Sequence, residues 1–74
     1  MTREDFIKLM QSKGMNLTTY NNVGTYLSRG VETIYINNDN SLICSSPAGN
    51  FKYRTFYDFI HGKPYWSETY NITD

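Results

Sequence analysis

The apolar positions at the N-terminus follow a helical period. Four apolar side chains fall on one arc of a helical wheel, and these are Phe6, Ile7, Leu9 and Met10. Thr2 and Asp5 have the spacing of a capping box, with a hydroxyl at the N-cap and a carboxylate that suits the positive end of the helix dipole. The pattern predicts a helix over residues 3–13, which Gly14 ends.

Beyond this helix the apolar period becomes that of β-strands. The β-prone segments are residues 17–20, 25–28, 31–36 and 41–45. The turn-forming stretches between them are residues 21–24, 29–30 and 37–40. Alternation is clearest in the third segment, where Ile34 and Ile36 share one face and Tyr35 lies on the other. Residues 51–54 either add a short strand or lead in as extended chain, so we expect an antiparallel sheet within residues 15–54.

A second amphipathic helix is predicted over residues 55–61. Thr55 and Asp58 repeat the capping spacing, while Gly62 ends the helix and Pro64 prevents its resumption. The remaining residues, 63–74, form either a docked tail or a short third helix. The side chains assigned to the core in this region are Phe51, Phe56, Phe59 and Ile60.

The order of these elements predicts an α+β fold with two layers. An N-terminal helix, a three- or four-stranded antiparallel sheet and a C-terminal helix form one domain over residues 1–74, and both helices cover one face of the sheet. A chain of 74 residues supports only one modest core.

The charge balance limits the classes of partner. Seven Lys and Arg residues match seven Asp and Glu residues, so the net charge is zero and the whole chain does not attract a polyanion. A neutral chain favours self-association or a bound partner, which makes a homodimer one expectation. The wealth of Asn, Thr, Tyr, Ile and Lys is typical of an AT-rich genome, such as that of a low-GC bacterium or its phage.

Cys44 is the only cysteine, so no intramolecular disulfide can form. The N-terminus has no signal-peptide pattern, and no apolar run approaches the ~20 residues of a membrane span. These features predict a reducing cytoplasm and no membrane association. Because Cys44 lies in an apolar run, we expect a buried and unreactive thiol.

The sequence contains no catalytic or metal-binding constellation. His61 is the only histidine, and although Asp58 could orient it, its place in the last helical turn favours contact with the helix carbonyls. One Cys and one His do not supply a zinc site, and single glycines make no phosphate loop. We therefore expect no enzyme activity, no cofactor and no metal.

Residues 51–70 carry the main functional signal, because they hold eight of the twelve aromatic residues. Tyr, Trp and Arg are enriched at interface hot spots, and aromatic side chains among cations also stack on bases. The predicted partner-binding residues are Arg54, Tyr57, Tyr65 and Trp66, together with Lys52 and Lys63.

The segment TREDFIKLMQSKGMNLTTY resembles the opening of HicA-type toxins, which are small αβββα domains similar to double-stranded-RNA-binding domains. That family carries Gly-Ser-His-His in its strand region, with a histidine for ribonuclease chemistry. The nearest segment in this chain, residues 23–26, contains no histidine, so the resemblance implies no catalytic residue. The layout, with Asn37, Asn38 and Asp39 in its central turn, also resembles that of αβββα anti-CRISPR proteins, although those are usually acidic.

Two main functions remain open, and a self-associating accessory protein is a third. The first is a non-enzymatic small protein from a phage or mobile element that binds a host protein as an inhibitor or modulator. The alternative is a HicA-like or double-stranded-RNA-binding-like module that binds RNA or single strands without catalysis. A nucleic-acid-binding protein should gather its cations on one face, whereas an interaction protein should expose aromatic side chains with both charge signs at their border.

Overall fold

The computed structural model describes residues 1–20 and 24–70. In this part of the chain the elements are α1 (Arg3–Ser12), β1 (Asn16–Tyr20), β2 (Gly24–Arg29), β3 (Glu32–Asn37), β4 (Leu42–Ser46), β5 (Gly49–Tyr53), α2 (Phe56–Ile60) and β6 (Trp66–Thr69). Most of the predicted turn at 21–24 and the end of the predicted tail, residues 71–74, lie outside the described residues.

The strands form one antiparallel meander, in which each strand pairs with the next along the chain from β1 to β6. The protein is α+β, but the predicted three- or four-stranded sheet is wrong, because the sheet has six strands. Residues 51–54 fall largely within β5, and the last strand lies where the sequence predicts a docked tail or a third helix. β6 has no marked apolar alternation of its own, so its pairing with β5, rather than local propensity, makes it a strand.

Each helix begins directly after a threonine that caps it. The Asp5 backbone N–H donates to Thr2 Oγ1 at 3.1 Å, and the Asp58 N–H donates to Thr55 Oγ1 at the same distance. Each threonine hydroxyl therefore satisfies one of the N–H groups that a helix start leaves without an intrahelical acceptor.

Both helices pack on one face of the sheet. The buried apolar side chains between the layers are Phe6, Ile7, Met10, Met15, Leu27, Ile34, Ile36, Leu42 and Phe56. Phe6 joins the two helices, because its ring stacks on Phe56 at 4.7 Å between centroids and meets the edge of Phe59 at 5.3 Å. Phe59 in turn meets the ring of Tyr53 on β5 at 5.2 Å.

Three of the four predicted core residues of the C-terminal region are less buried than expected. Phe56 is buried, Phe59 is half-buried and packs against the core, Phe51 is half-buried, and Ile60 is 46% exposed. The prediction for Ile60 is wrong because α2 has only five residues and meets α1 through its phenylalanines, which leaves its last residue at the margin.

The N-terminus of α1 is tied to the β3–β4 turn. The Arg3 guanidinium donates to the carbonyl oxygens of Asn37 at 2.8 Å and Asn38 at 3.0 Å, and to Asn40 Oδ1 at 3.0 Å. These charge-assisted hydrogen bonds fix the helix layer over the central hairpin.

Candidate functional site

A row of side chains crosses the face of the sheet that is opposite the helices, here called the open face. Residues that pair directly across antiparallel strands point to the same face, and the successive pairs join Tyr26, Tyr35, Ile43, Lys52 and Trp66. This open-face row runs from β2 to β6. Its alternation with Leu27, Ile34 and Leu42, which are buried under the helices, places it on the other side of the sheet.

The open-face row is exposed and largely aromatic. Tyr26, Ile43 and Trp66 are exposed, and Tyr35 and Lys52 are half-buried. The rings of Tyr26 and Tyr35 meet edge to face, with centroids 5.9 Å apart. This edge-to-face contact packs the two rings against each other, and the hydroxyl end of Tyr35 lies close to Gly24 on β2.

Two cations on and after β5 stand over aromatic rings near β6. Lys52 Nζ lies 4.8 Å from the ring centroid of Trp66, and Arg54 Cζ lies 4.4 Å from that of Tyr65. Each cation–π contact at an exposed site contributes about 0.5–1 kcal/mol. The backbone joins the same segments, since the Tyr65 N–H donates to the Lys52 carbonyl oxygen at 2.9 Å. The two pairs therefore order the aromatic end of the row.

A polar border with one carboxylate lies beside this aromatic end. Asn50 pairs directly with Glu68 across β5 and β6, and its Nδ2 donates to Glu68 Oε1 at 3.2 Å and to the Tyr70 hydroxyl at 2.7 Å. Ser45 Oγ donates to Asn50 Oδ1 at 2.8 Å. Positive charge from Lys52 and negative charge from Glu68 thus lie at the same end of the sheet.

The structure brings four of the six predicted partner-binding residues together, and these are Lys52, Arg54, Tyr65 and Trp66. Tyr57 is 64% exposed and lies on α2, where its ring contacts His61 at 4.1 Å between centroids. Lys63 follows α2, and its N–H donates to the Asp58 carbonyl oxygen at 2.8 Å. These two residues belong to the α2 region and not to the open-face row.

Sequence reasoning missed the other members of the row, Tyr26, Tyr35 and Ile43. The alternation in residues 31–36 places Tyr35 on the face opposite Ile34 and Ile36, which is a signal for the open face. Only the strand register aligns Tyr26 and Ile43 with it, and the register depends on pairing between strands.

A groove of about 480 Å³ lies on the helix side of the sheet. Apolar side chains on both helices and the sheet line it, including Leu9, Met10, Ile34, Cys44, Tyr53 and Phe59. Burial raises the pKa of the Cys44 thiol to about 12. Burial also raises the pKa of the Tyr53 hydroxyl, and the nearby Cys44 adds to that shift. At neutral pH this wall of the groove carries no charge from either group.

Cys44 should react with iodoacetamide at pH 8 roughly 1,000-fold more slowly in the folded protein than in urea, because its pKa of about 12 compares with an ordinary value of 9.0 and only the thiolate is nucleophilic. The raised pKa also means that ionisation favours unfolding, so this contribution to stability is complete below about pH 9 and declines towards pH 12. Mass spectrometry of timed aliquots measures the rate.

The control is a Lys8→Cys variant in a Cys44→Ala background, because Lys8 is exposed on α1. Its thiol should react at similar rates in both states. Equal rates for Cys44 with and without urea would show that the thiol is not protected by burial.

The described residues offer little for metal chemistry or membrane crossing. Over residues 1–20 and 24–70, no group of three or more His, Cys, Asp and Glu side chains is placed to hold a metal ion. Neither helix in this part of the chain is long and apolar enough to cross a membrane. The ring contact of His61 is with Tyr57.

Comparison with known proteins leaves the open-face row as the main guide to function. The resemblances to HicA-type toxins and to anti-CRISPR proteins stay predictions. No protein-family model, curated protein or solved structure matches this chain.

Proposed function

We propose that the protein is a non-enzymatic binding protein that recognises another protein through the open face of its sheet. The observation that carries this proposal is the open-face row, in which Tyr26, Ile43 and Trp66 are exposed together on one surface. Exposed aromatic residues with an adjacent arginine and a polar border have the composition of a protein interface.

The distribution of charge favours a protein partner over a nucleic acid. Lys52 and Arg54 share their end of the sheet with Glu68 and are engaged with aromatic rings. Of the other cations, Arg29 pairs with Glu32 at 2.9 Å, and Arg3 binds the β3–β4 turn. A nucleic-acid-binding surface would instead gather several cations with no acid between them.

The same charges indicate the chemistry of the partner. Its contact surface should present apolar side chains to Tyr26, Ile43 and Trp66, and carboxylates at the end that meets Lys52 and Arg54. We place the protein in the cytoplasm of a bacterial host, encoded by a phage or other mobile element. There it would inhibit or modulate a host protein by covering one of its surfaces.

Affinity capture from host lysate with matched variants tests this function. Trp66→Ala and Tyr26→Ala, which lie at opposite ends of the row, should each reduce recovery of one specific host protein by roughly tenfold or more, as truncation of a hot-spot residue does. Val31→Ala and Tyr57→Ala remove exposed side chains outside the row and should recover it as the natural chain does. Circular dichroism checks that each variant is folded.

Two outcomes would contradict the proposal. One is the recovery of no specific protein, and the other is a partner that is retained by both row variants and lost with Tyr57→Ala.

Single-stranded nucleic acid is the second candidate, because Tyr26 and Trp66 expose aromatic rings and Lys52 stands beside one of them. Stacking of a base on such a ring is worth about 1–3 kcal/mol. Fluorescence anisotropy with a labelled single-stranded RNA at low salt decides between the candidates. Binding that requires Tyr26 and Trp66 and weakens steeply with salt would favour nucleic acid.

A further inference from the structure

The two edges of the sheet differ in how well they are protected against pairing with another strand. β1 has a register shift between Leu17 and Thr19, and an irregularity of this kind discourages edge-to-edge pairing. β6 pairs with β5 without a shift from Trp66 to Thr69, and all four of its residues are exposed. The β6 edge is therefore the better template for an added strand.

The outward backbone groups of β6 can be identified from its pairing. The Tyr70 N–H donates to the Ala48 carbonyl oxygen at 3.0 Å, which continues the register of the ladder. Alternate residues of an antiparallel strand direct their backbone N–H and C=O groups to the same side, so the backbone groups of Trp66 and Glu68 face β5. Ser67 and Thr69 direct theirs away from the sheet.

We propose that the occupant of this edge is β6 of a second copy of the protein, paired antiparallel about a two-fold axis at Ser67. The Ser67 residues of the two copies then exchange the central pair of backbone hydrogen bonds. Trp66 of each copy lies directly opposite Glu68 of the other, on the same face of a continuous sheet.

Charge complementarity selects this register. Lys52 stands over the Trp66 ring at 4.8 Å, so Glu68 of the second copy, directly opposite Trp66, lies across that ring from Lys52. This cation adds to the Lys52 that is the diagonal neighbour of each Glu68 within its own chain. The two-fold axis makes this Lys52–Glu68 pair twice. Since the net charge is zero, the two copies do not repel each other at long range.

Other registers are poorer. Centring the axis on Glu68 places the two Glu68 carboxylates opposite each other, and like charges directly across strands are destabilising. Centring it on Trp66 makes Tyr65, whose N–H is already bonded to Lys52, the partner of Ser67. The register centred on Ser67 also sets Thr69 opposite Tyr65, but it keeps the complete Ser67–Ser67 pair. A shift of the register by one residue would place the open face of one copy on the same side of the joined sheet as the helix-covered face of the other.

This dimer does not rest on the proposed function, because its interface is a strand edge and needs no other protein. It joins two six-stranded sheets so that both open faces lie on one side. The short edge buries little surface, so we expect a weak, concentration-dependent dimer.

Light scattering after size-exclusion chromatography, over protein concentrations up to about 1 mM, tests the dimer in the absence of any partner. The mass should rise from 8.7 kDa towards twice that value. Ser67→Pro removes only an outward N–H group and should leave the monomer folded but unable to dimerise. Ser67→Ala keeps that N–H and should dimerise like the natural chain.

A charge swap then tests the register. Glu68→Lys and Lys52→Glu should each weaken the dimer roughly fivefold or more, and the double variant should regain affinity because it restores the opposite charges. A mass that stays at 8.7 kDa at the highest concentration would overturn the proposal. Dimerisation of a folded Ser67→Pro variant, or no recovery in the double variant, would do so as well.

Discussion

Phe6→Ala should lower the free energy of unfolding by about 3–5 kcal/mol, the usual cost of removing a buried aromatic side chain. Phe6 is fully buried, and its ring joins α1 to α2 through contacts with Phe56 and Phe59. Small domains have total stabilities of about 5–15 kcal/mol, so this loss would leave much of the protein unfolded near physiological temperature. Urea titration followed by circular dichroism measures it.

Tyr57→Ala provides the matched control, because it also removes an aromatic ring but from a side chain that is 64% exposed. Its cost should stay within about 0.5 kcal/mol. If Phe6→Ala lowered the free energy of unfolding as little as this control, the conclusion that both helices pack around Phe6 would be wrong.

Gly49→Ala should detach β6 from the sheet and destabilise the protein by about 1–3 kcal/mol. Gly49 has φ of +146°, which L-residues rarely adopt, and an added Cβ would overlap the Glu68 carbonyl oxygen across the β5–β6 pair. The variant should also lose the contact between Lys52 and Trp66. Trp66 is the only tryptophan, so a red shift of its fluorescence would report the separation directly.

The Gly30→Ala variant separates the cost of backbone strain from the cost of the close approach at Gly49. Gly30 also has positive φ, at +60°, but a Cβ there meets no atom within 4 Å. It should cost about 1–2 kcal/mol, with no change in tryptophan emission. A Gly49→Ala variant with unchanged emission would show that β6 does not depend on this contact.

The elements that sequence patterns predict well are those whose signals are local. The threonines that cap α1 and α2, and the Asn-rich turn between β3 and β4, each depend on residues a few positions apart. β6 depends instead on a surface offered by β5, and nothing within residues 66–69 encodes that. Ile60 is less buried than its helical spacing predicts for a related reason, since that spacing does not show where so short a helix ends on the sheet.

The residues of the candidate site also differ in whether a local sequence signal identifies them. Composition alone identified Lys52, Arg54, Tyr65 and Trp66, because they lie close together in the chain, and the structure joins them as two cation–π pairs. Tyr26 and Tyr35 belong to earlier strands and enter the surface only through register. Propensity does not supply register, because a shift of one residue exchanges the two faces of a strand.

The meander has a consequence for the order in which parts of the protein can fold during synthesis. Each strand pairs with its neighbour in the chain, so the sheet from β1 to β5 can assemble as those segments emerge during synthesis. Phe6, in contrast, has its stacking partner Phe56 in the last quarter of the sequence. The ring of Phe6 therefore lacks its stacking partner until about three-quarters of the chain has been translated, and the contact between the two helices should be a late folding event.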